Sequence, residues 1–263
     1  MEYTCLLYHV APDGVATITL NRPEQLNAFN DAQSFELQDA LKQVTRDATV
    51  RCVVLTGAGR GFCSGQDLGQ AAAGEKRAFS FEESLHQRYN PIIRAMRALP
   101  KPIICRLNGV AAGAGCSLAL ACDVIIAAEE ASLVEIFINI GLVLDSGSSF
   151  FLPRLVGSLK AFELATLAEK VKAPEALRLG LVNQVVPLAA LDATVAALAT
   201  RYAAAPTKAV GLIKRMLNKS QSATLDEMLD YEAHCQQIAG ATADYQEGVR
   251  AFAEKRRPVF RGE

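Results

Sequence analysis

The sequence predicts an α/β core followed by a helical tail. Short apolar runs of strand character at 52–56 and 103–107 alternate with longer stretches of helical period. From about residue 189 the pattern becomes helix after helix. No Gly/Ser-rich linker or low-complexity segment separates the two parts, and no sequence repeat is visible.

Each element follows from local pattern. Residues 3–10 and 15–20 alternate apolar and polar across Asp13-Gly14 and read as a hairpin. Asn30-Asp31 suits a helix cap, with Phe35, Leu37, Leu41 and Val44 at helical spacing beyond it. The strand at 52–56 feeds Gly57-Ala58-Gly59-Arg60-Gly61. A helix is expected over 79–99, ended by Pro100 and Pro102, then a strand at 103–107. A small-residue helix at 112–121 leads into a strand at 123–127. The tail helices are expected at 189–204, 207–218, 224–239 and 242–255, which divides the chain into a core, 1–195, and a helical region, 196–263.

Composition removes several function classes. Lys and Arg number 27 against 28 Asp and Glu, a net charge of −1, so no global field draws the chain to nucleic acid or an anionic membrane. The 7 cysteines, at 5, 52, 63, 105, 116, 122 and 235, show no CxxC spacing, and with only His9, His86 and His234 no zinc site is expected. Free thiols in a reducing compartment are the plain reading. Met1-Glu2-Tyr3-Thr4 lacks a basic leader and polar residues interrupt every apolar run, so a cytoplasmic protein without membrane spans is expected.

The chemistry-bearing stretch is Ile140-Gly141-Leu142-Val143-Leu144-Asp145-Ser146-Gly147, one carboxylate on a glycine-bracketed loop amid apolar residues. Upstream are two small-residue turns, Gly61-Phe62-Cys63-Ser64-Gly65-Gln66-Asp67 and Asn108-Gly109-Val110-Ala111-Ala112-Gly113-Ala114-Gly115. Gly113-Ala114-Gly115 opens a helix, whose unsatisfied N–H groups and positive dipole end suit a developing oxyanion. Two amide donors and one acid/base are the parts needed to make and quench an enolate. Gly57–Gly61 is no nucleotide loop, because it lacks the third glycine of GxGxxG at the right offset and any GK[ST].

Taken together, Asn21-Arg22-Pro23, Asn27-Ala28, Gly61–Leu68, Asn108–Cys116 with Ala121-Cys122-Asp123, the Gly141–Gly147 loop, Pro153-Arg154-Leu155-Val156-Gly157 and Gly180-Leu181-Val182 resemble the crotonase (enoyl-CoA hydratase/isomerase) superfamily. They come in the family's order across essentially the whole chain, and the tail Ala243-Asp244-Tyr245-Gln246-Glu247-Gly248-Val249 fits too. Gly61–Leu68 and Tyr89-Asn90-Pro91 are especially similar to a branch acting on ring epoxides of arylacetyl-CoA in phenylacetate degradation. The resemblance implies a spiral of β-β-α turns with a C-terminal trimerisation region, and acyl-CoA thioesters as substrates. No cofactor is implied, CoA being part of the substrate. It also implies a homotrimer or a dimer of trimers, and association with a pathway enoyl-CoA hydratase.

Carried over residue by residue, the resemblance places the oxyanion-hole amides at Ser64 and Ala114. It puts Arg22, Ala28, Phe62, Gln66, Asp67, Leu68 and Phe137 along the substrate and CoA path, and Lys255 at the CoA phosphates of its own or a neighbouring site. The hydratases' two glutamates fall at Ser117 and Phe137, so both are missing and water addition is not expected. Asp145 matches the carboxylate of the single-acid isomerases, where one group suffices because the proton taken from the α-carbon is returned elsewhere on the same substrate. It also matches the nucleophile of the aryl-CoA dehalogenases, which need a histidine and a tryptophan where this chain has Asn90 and Phe137, and it has no Trp.

Other readings of these residues stay open. Asp67 suits a turn-stabilising role and Asp123 a turn or cap. A two-residue slip of register would bring Glu135 to the place of Phe137. His86 and His234 sit on helical stretches as surface or packing residues. A non-catalytic acyl-CoA-binding module is the alternative of another class; the intact Asp145 and both donor turns count against it.

Overall fold

The computed structural model describes residues 3–69 and 80–263, and the expected helix start at Phe79 lies outside them. β1 (Leu6–Val10) and β2 (Val15–Leu20) form the antiparallel hairpin, pairing His9 with Thr17 and Val10 with Ala16. From β2 onward the sheet is parallel. β3 (Cys52–Gly57), β5 (Ile103–Leu107), β7 (Val124–Ala128) and β10 (Gln184–Val186) complete a six-stranded sheet in the order β1-β2-β3-β5-β7-β10. All six residues of β3 are buried, as a central parallel strand covered on both faces requires.

A second sheet makes the spiral. β4 (Gly61–Cys63), β6 (Val110–Ala112), β8 (Ser132–Val134) and β9 (Val171–Lys172) form it in that order. Each of the pairs β3/β4, β5/β6 and β7/β8 places one strand in each sheet, so the structural repeat exists without a sequence repeat. The strands of the second sheet are too short to show a period of two, and β4 and β6 lie where the sequence suggested only turns.

The helices follow their caps. Asn30 Oδ1 accepts the Gln33 N–H at 2.8 Å and starts α1 (Asp31–Arg46). Its buried stripe is Leu37, Ala40, Leu41 and Val44; Phe35, expected with them, is 46% exposed. A Ser80/Glu83 capping box opens α2 (Phe81–Ser84), which runs through a π turn (Leu85–Tyr89) into α3 (Asn90–Ala98). α4 (Ala114–Leu120) begins two residues later than expected, because Ala112 ends β6, paired with Val134. The sequence pattern named no element between 148 and 186, where α5 (Ser148–Val156), α6 (Ser158–Leu167) and α7 (Ala173–Arg178) lie.

The tail helices are α8 (Leu188–Ala203), α9 (Thr207–Ser220), α10 (Leu225–Gly240) and α11 (Ala243–Ala253). α8 runs unbroken through residues 195 and 196 and buries Leu191, Val195, Ala199 and Ala203 against β3, β5 and β7. α9 is pinned to the core by Lys214, whose Nζ lies 2.7 Å from Asp123 Oδ2. Among the described residues, no helix is long and apolar enough to cross a membrane.

One contact sets the spacing of the two donor turns. A Cβ on Gly115 would stand 2.2 Å from the Cys63 carbonyl oxygen and 2.7 Å from Cys63 Cβ. The first turn of α4 therefore lies directly on the end of β4, and only glycine fits there. Gly115→Ala is expected to destabilise the fold by about 1–3 kcal/mol through overpacking, and to lower turnover more than melting temperature alone would explain. Thermal melting beside kcat checks this; a wild-type-like kcat and Tm would show the contact to be dispensable.

Candidate active site

Asn27 builds the floor of the site. It is fully buried; its Nδ2 donates to the carbonyls of Ala58 and Gly61 at 2.9 Å each, and its Oδ1 accepts the Arg22 N–H at 2.9 Å. Leu26 and Asn27 both adopt positive φ, 49° and 59°, which turns the chain so that 26–29 runs beside 64–67. Three bonds join these segments: Ser64 N–H to Leu26 O at 3.0 Å, Phe29 N–H to Gly65 O at 2.7 Å, and Asp67 N–H to Phe29 O at 2.8 Å.

Those bonds decide which amide is free. The Ser64 N–H, expected as the first oxyanion donor, is already given to Leu26. Gln66 sits opposite Phe29 in a parallel bridge, where the bonds run through its two neighbours, and its own N–H has no acceptor among the described residues. The Ala114 N–H, first of α4, is free in the same sense, as helix N-termini are. The turn carrying Gln66 abuts this helix end: a Cβ on Gly65, which has φ +96°, would lie 2.9 Å from the Ala112 carbonyl oxygen and 3.7 Å from the Ala114 nitrogen. The donor pair available in this structure is thus Gln66 and Ala114.

The Gln66 side chain is fixed as well. Its Nε2 donates to the carbonyls of Phe29 and Asp67, at 3.2 Å each, and its Oε1 accepts from the Tyr89 hydroxyl. Tyr89 packs edge-on against Phe29, ring centroids 5.5 Å apart. Tyr89 ends the π turn, which belongs to a class of helix irregularity frequent at functional sites.

Gln66, Ala114 and Asp145 all line one cleft of about 210 Å³. Phe81, Leu85, Tyr89, Ile136, Phe137 and Leu142 make its walls apolar, and Leu68 stands at its edge. Asp145 follows a 3-10 turn (Ile136–Ile140) that Gly141 closes at φ +71°. Its backbone carbonyl accepts the Ser148 N–H and the Ser117 hydroxyl, each at 3.0 Å. Among the described residues its carboxylate accepts only the Ser146 hydroxyl, at 2.8 Å. Burial raises its pKa above the ordinary aspartate value, and the Ser146 bond opposes this in part. A carboxylate so placed is a better base near neutrality.

Comparison with known proteins gives the family of the chain. The profile of the enoyl-CoA hydratase/isomerase family matches residues 11–263. The chain is 47% identical over 263 residues to the 1,2-epoxyphenylacetyl-CoA isomerase of Escherichia coli K12, covering 100% of this chain and 99% of that one. It is 42% identical to a probable enoyl-CoA hydratase of Rhodobacter capsulatus, covering 100% of both. The enoyl-CoA hydratase crystal structure from Bacillus anthracis superposes with a TM-score of 0.92 at 35% identity, over 99% of this chain and 100% of that one. The chain belongs to the enoyl-CoA hydratase/isomerase family. It is therefore an enzyme acting on acyl-CoA thioesters, with the crotonase fold.

Within that family frame the other expected site residues separate. Leu68 and Phe137 line the cleft. Phe62 does not: it is fully buried in β4 and packs in the core. Arg22 and Asp67 pair with each other at 2.8 Å, and Arg22 also donates to the Ala28 carbonyl, so these three brace the donor turn and are not among the cleft-lining residues. The Arg22 bond, helped by the Gly69 N–H, holds the Asp67 carboxyl below its ordinary pKa and removes it as a base. Lys255 is exposed beyond α11 and is not among the cleft-lining residues.

Glu135 does not slip into the site either; Phe137 faces the cleft, while Glu135 is buried behind it against Ser148 and Cys116. Asp123 is a structural junction, bound by Arg97, Lys214 and the Ile103 N–H. His86 is exposed and His234 stacks on Tyr231. Sequence reasoning missed Gln66 as a donor and the roles of Tyr89 and Ser148. Tyr89-Asn90-Pro91 was the one available signal for Tyr89.

The raised Asp145 pKa has a consequence for stability. A carboxyl whose folded pKa lies above its unfolded one favours the fold fully only below the unfolded value, and that contribution is lost as pH rises through the folded value. Asp145→Asn should therefore melt at a higher temperature than wild type at neutral pH, with the gap closing below about pH 4, where the unfolded aspartate is protonated. Melting curves from acid to neutral pH test it; a variant less stable than wild type at pH 7 would mean that the carboxylate is stabilised by its surroundings.

Proposed function

We propose that this enzyme isomerises the ring epoxide 2-(1,2-epoxy-1,2-dihydrophenyl)acetyl-CoA to its oxepin-CoA, as a step in phenylacetate degradation. The observation that carries the reading is a single cleft carboxylate, Asp145, sharing the cleft with two free amides, with Ser117 and Phe137 at the hydratase glutamate positions. The E. coli relative named for this reaction supports it, and the walls of Phe81, Tyr89 and Phe137 suit an aromatic-sized acyl group.

The thioester oxygen sits on the Gln66 and Ala114 N–H groups. Asp145 removes an α-proton and the enolate charge grows onto that oxygen; losing one such donor costs about 2.7–4 kcal/mol of barrier. The arene oxide opens electrocyclically to the oxepin, and Asp145-H returns the proton to the ring system, leaving the new exocyclic double bond conjugated with the thioester. Every atom of the substrate is retained, and no cofactor takes part.

The same apparatus supports a second reading, a Δ3,Δ2-enoyl-CoA isomerase, in which the proton moves from the α- to the γ-carbon. The trans-2-decenoyl-[acyl-carrier-protein] isomerase of Streptococcus mutans, 34% identical over 267 residues, favours keeping it. For assembly we infer a trimer or a dimer of trimers in the cytoplasm. Ile213, Leu217, Leu225 and Leu229 of the tail are 54%, 61%, 74% and 53% exposed in the single chain and call for cover. Lys255 then reaches CoA phosphates of its own or a neighbouring site.

Asp145→Asn should fold and bind thioester but lose at least about 10²-fold in turnover, read by mass spectrometry on a panel of acyl-CoAs in heavy water. The same panel should show little water addition to crotonyl-CoA. Wild-type turnover in the variant, or hydration as fast as isomerisation, would overturn the mechanism.

Lys255→Ala should raise KM with kcat largely kept, since phosphate contacts far from the reacting carbons give uniform binding. An unchanged KM with a lowered kcat would assign Lys255 another role, and a fully active monomer by light scattering would remove the assembly.

A further inference from the structure

Glu135 is a buried carboxyl, 3% exposed, that the reaction as written does not use. Its Oε1 accepts the Ser148 hydroxyl and the Cys116 thiol, the latter at 3.4 Å. Its Oε2 has no hydrogen-bond partner among the described residues. Beside it lies a cavity of about 10 Å³, room for one water at most, walled mainly by Leu120, Leu133, Leu152 and Leu164. Among the described residues, the titratable groups near Glu135 are Cys116 on α4, Asp145 and, lining the same cavity, Glu169, and none of the residues lining that cavity is a cation. An ionised Glu135 would place an uncompensated oxygen against apolar walls, with the Asp145 charge near it. Burial accordingly raises its pKa, and the Asp145 charge raises it further against the two donors.

The connections of Glu135 lead to the reacting atoms. Ser148 donates its N–H to the Asp145 carbonyl at 3.0 Å, and Ser117, next to Cys116 on α4, donates its hydroxyl to the same oxygen at 3.0 Å. α4 also carries the Ala114 amide. One helix therefore holds the acid by two routes, directly through Ser117 and through Cys116, Glu135 and Ser148. We propose that Glu135 is a positioning residue: it ties Ser148 to Cys116 and so keeps Asp145 in place relative to the Ala114 amide.

This rests on Asp145 being the base, so Asp145→Asn is run alongside Glu135→Gln and Glu135→Leu. kcat and KM are measured from acid to alkaline pH with the acyl-CoA that wild type turns over fastest, and circular dichroism checks folding. Glu135→Leu should lose about 10²-fold in kcat, the scale of a small misplacement of a reacting group, with KM within about threefold. Glu135→Gln keeps an oxygen for Ser148 and is uncharged at every pH. It should recover kcat to within about threefold of wild type and, with no carboxyl to ionise, keep that rate further up the pH scale than wild type. A wild-type kcat in Glu135→Leu, or the same alkaline profile in Glu135→Gln and wild type, would overturn the proposal. Should Glu135→Leu fail to fold, the pH profile of Glu135→Gln decides alone. A fully active Asp145→Asn would instead remove the base, and an inactive one beside a fully active Glu135→Leu would remove only the role of Glu135.

Discussion

The site depends on the contact between the first turn of α4 and the end of β4. Gly115 against Cys63 and Gly65 against Ala112 bring two backbones closer than any side chain would allow. Only at that spacing do an extended-chain amide, Gln66, and a helix-terminal amide, Ala114, open onto the same cleft. Two unpaired N–H groups in an apolar wall are a cost to folding that the rest of the core must offset. They also need no reorganisation when charge develops in front of them, and that is where such donors gain their catalytic value.

How much of this was legible depends on the range of the signal. The hairpin, the Asn30 cap, β3 and β5 could be read because each announces itself within a few residues, by alternation, a cap or an unbroken apolar run. Asp145 could be read for a similar reason, as a lone acid in an apolar loop between glycines. β4, β6 and β8 could not, because three residues carry no period and their pairing is entirely non-local. Motif position placed the first donor at Ser64, but the assignment of N–H groups is set by which of them Leu26 and Phe29 consume, thirty or more residues away. Phe62 shows the same limit: a residue in a motif that touches ligand can itself be packing under it.

Carboxylates in this protein differ in role because their partners differ. Asp67 has a guanidinium and a backbone N–H, and is held ionised. Asp123 has Arg97 and Lys214 and joins the tail to the core. Glu135 has two weak or neutral donors on one oxygen and nothing on the other. Asp145 has one hydroxyl and an open apolar cleft. Of these four, Asp145 alone lines the cleft, and its charged form is destabilised, the combination that the proposed proton abstraction from a thioester α-carbon requires.

Ser117 links the two halves of the site. At the position where the family resemblance puts a hydratase glutamate, this chain has more than an absence. The Ser117 hydroxyl is fully buried and bonds the Asp145 carbonyl, so the residue at that position anchors the loop that carries the proposed acid. A glutamate there would add two carbons and a charge to a buried position whose one outward bond holds the catalytic loop, and either the loop or the carboxylate would have to move. In this chain, gaining a second acid and keeping the first one in place compete for the same position. On the proposed single-acid mechanism, the serine at this position and the anchoring of Asp145 are therefore one structural feature.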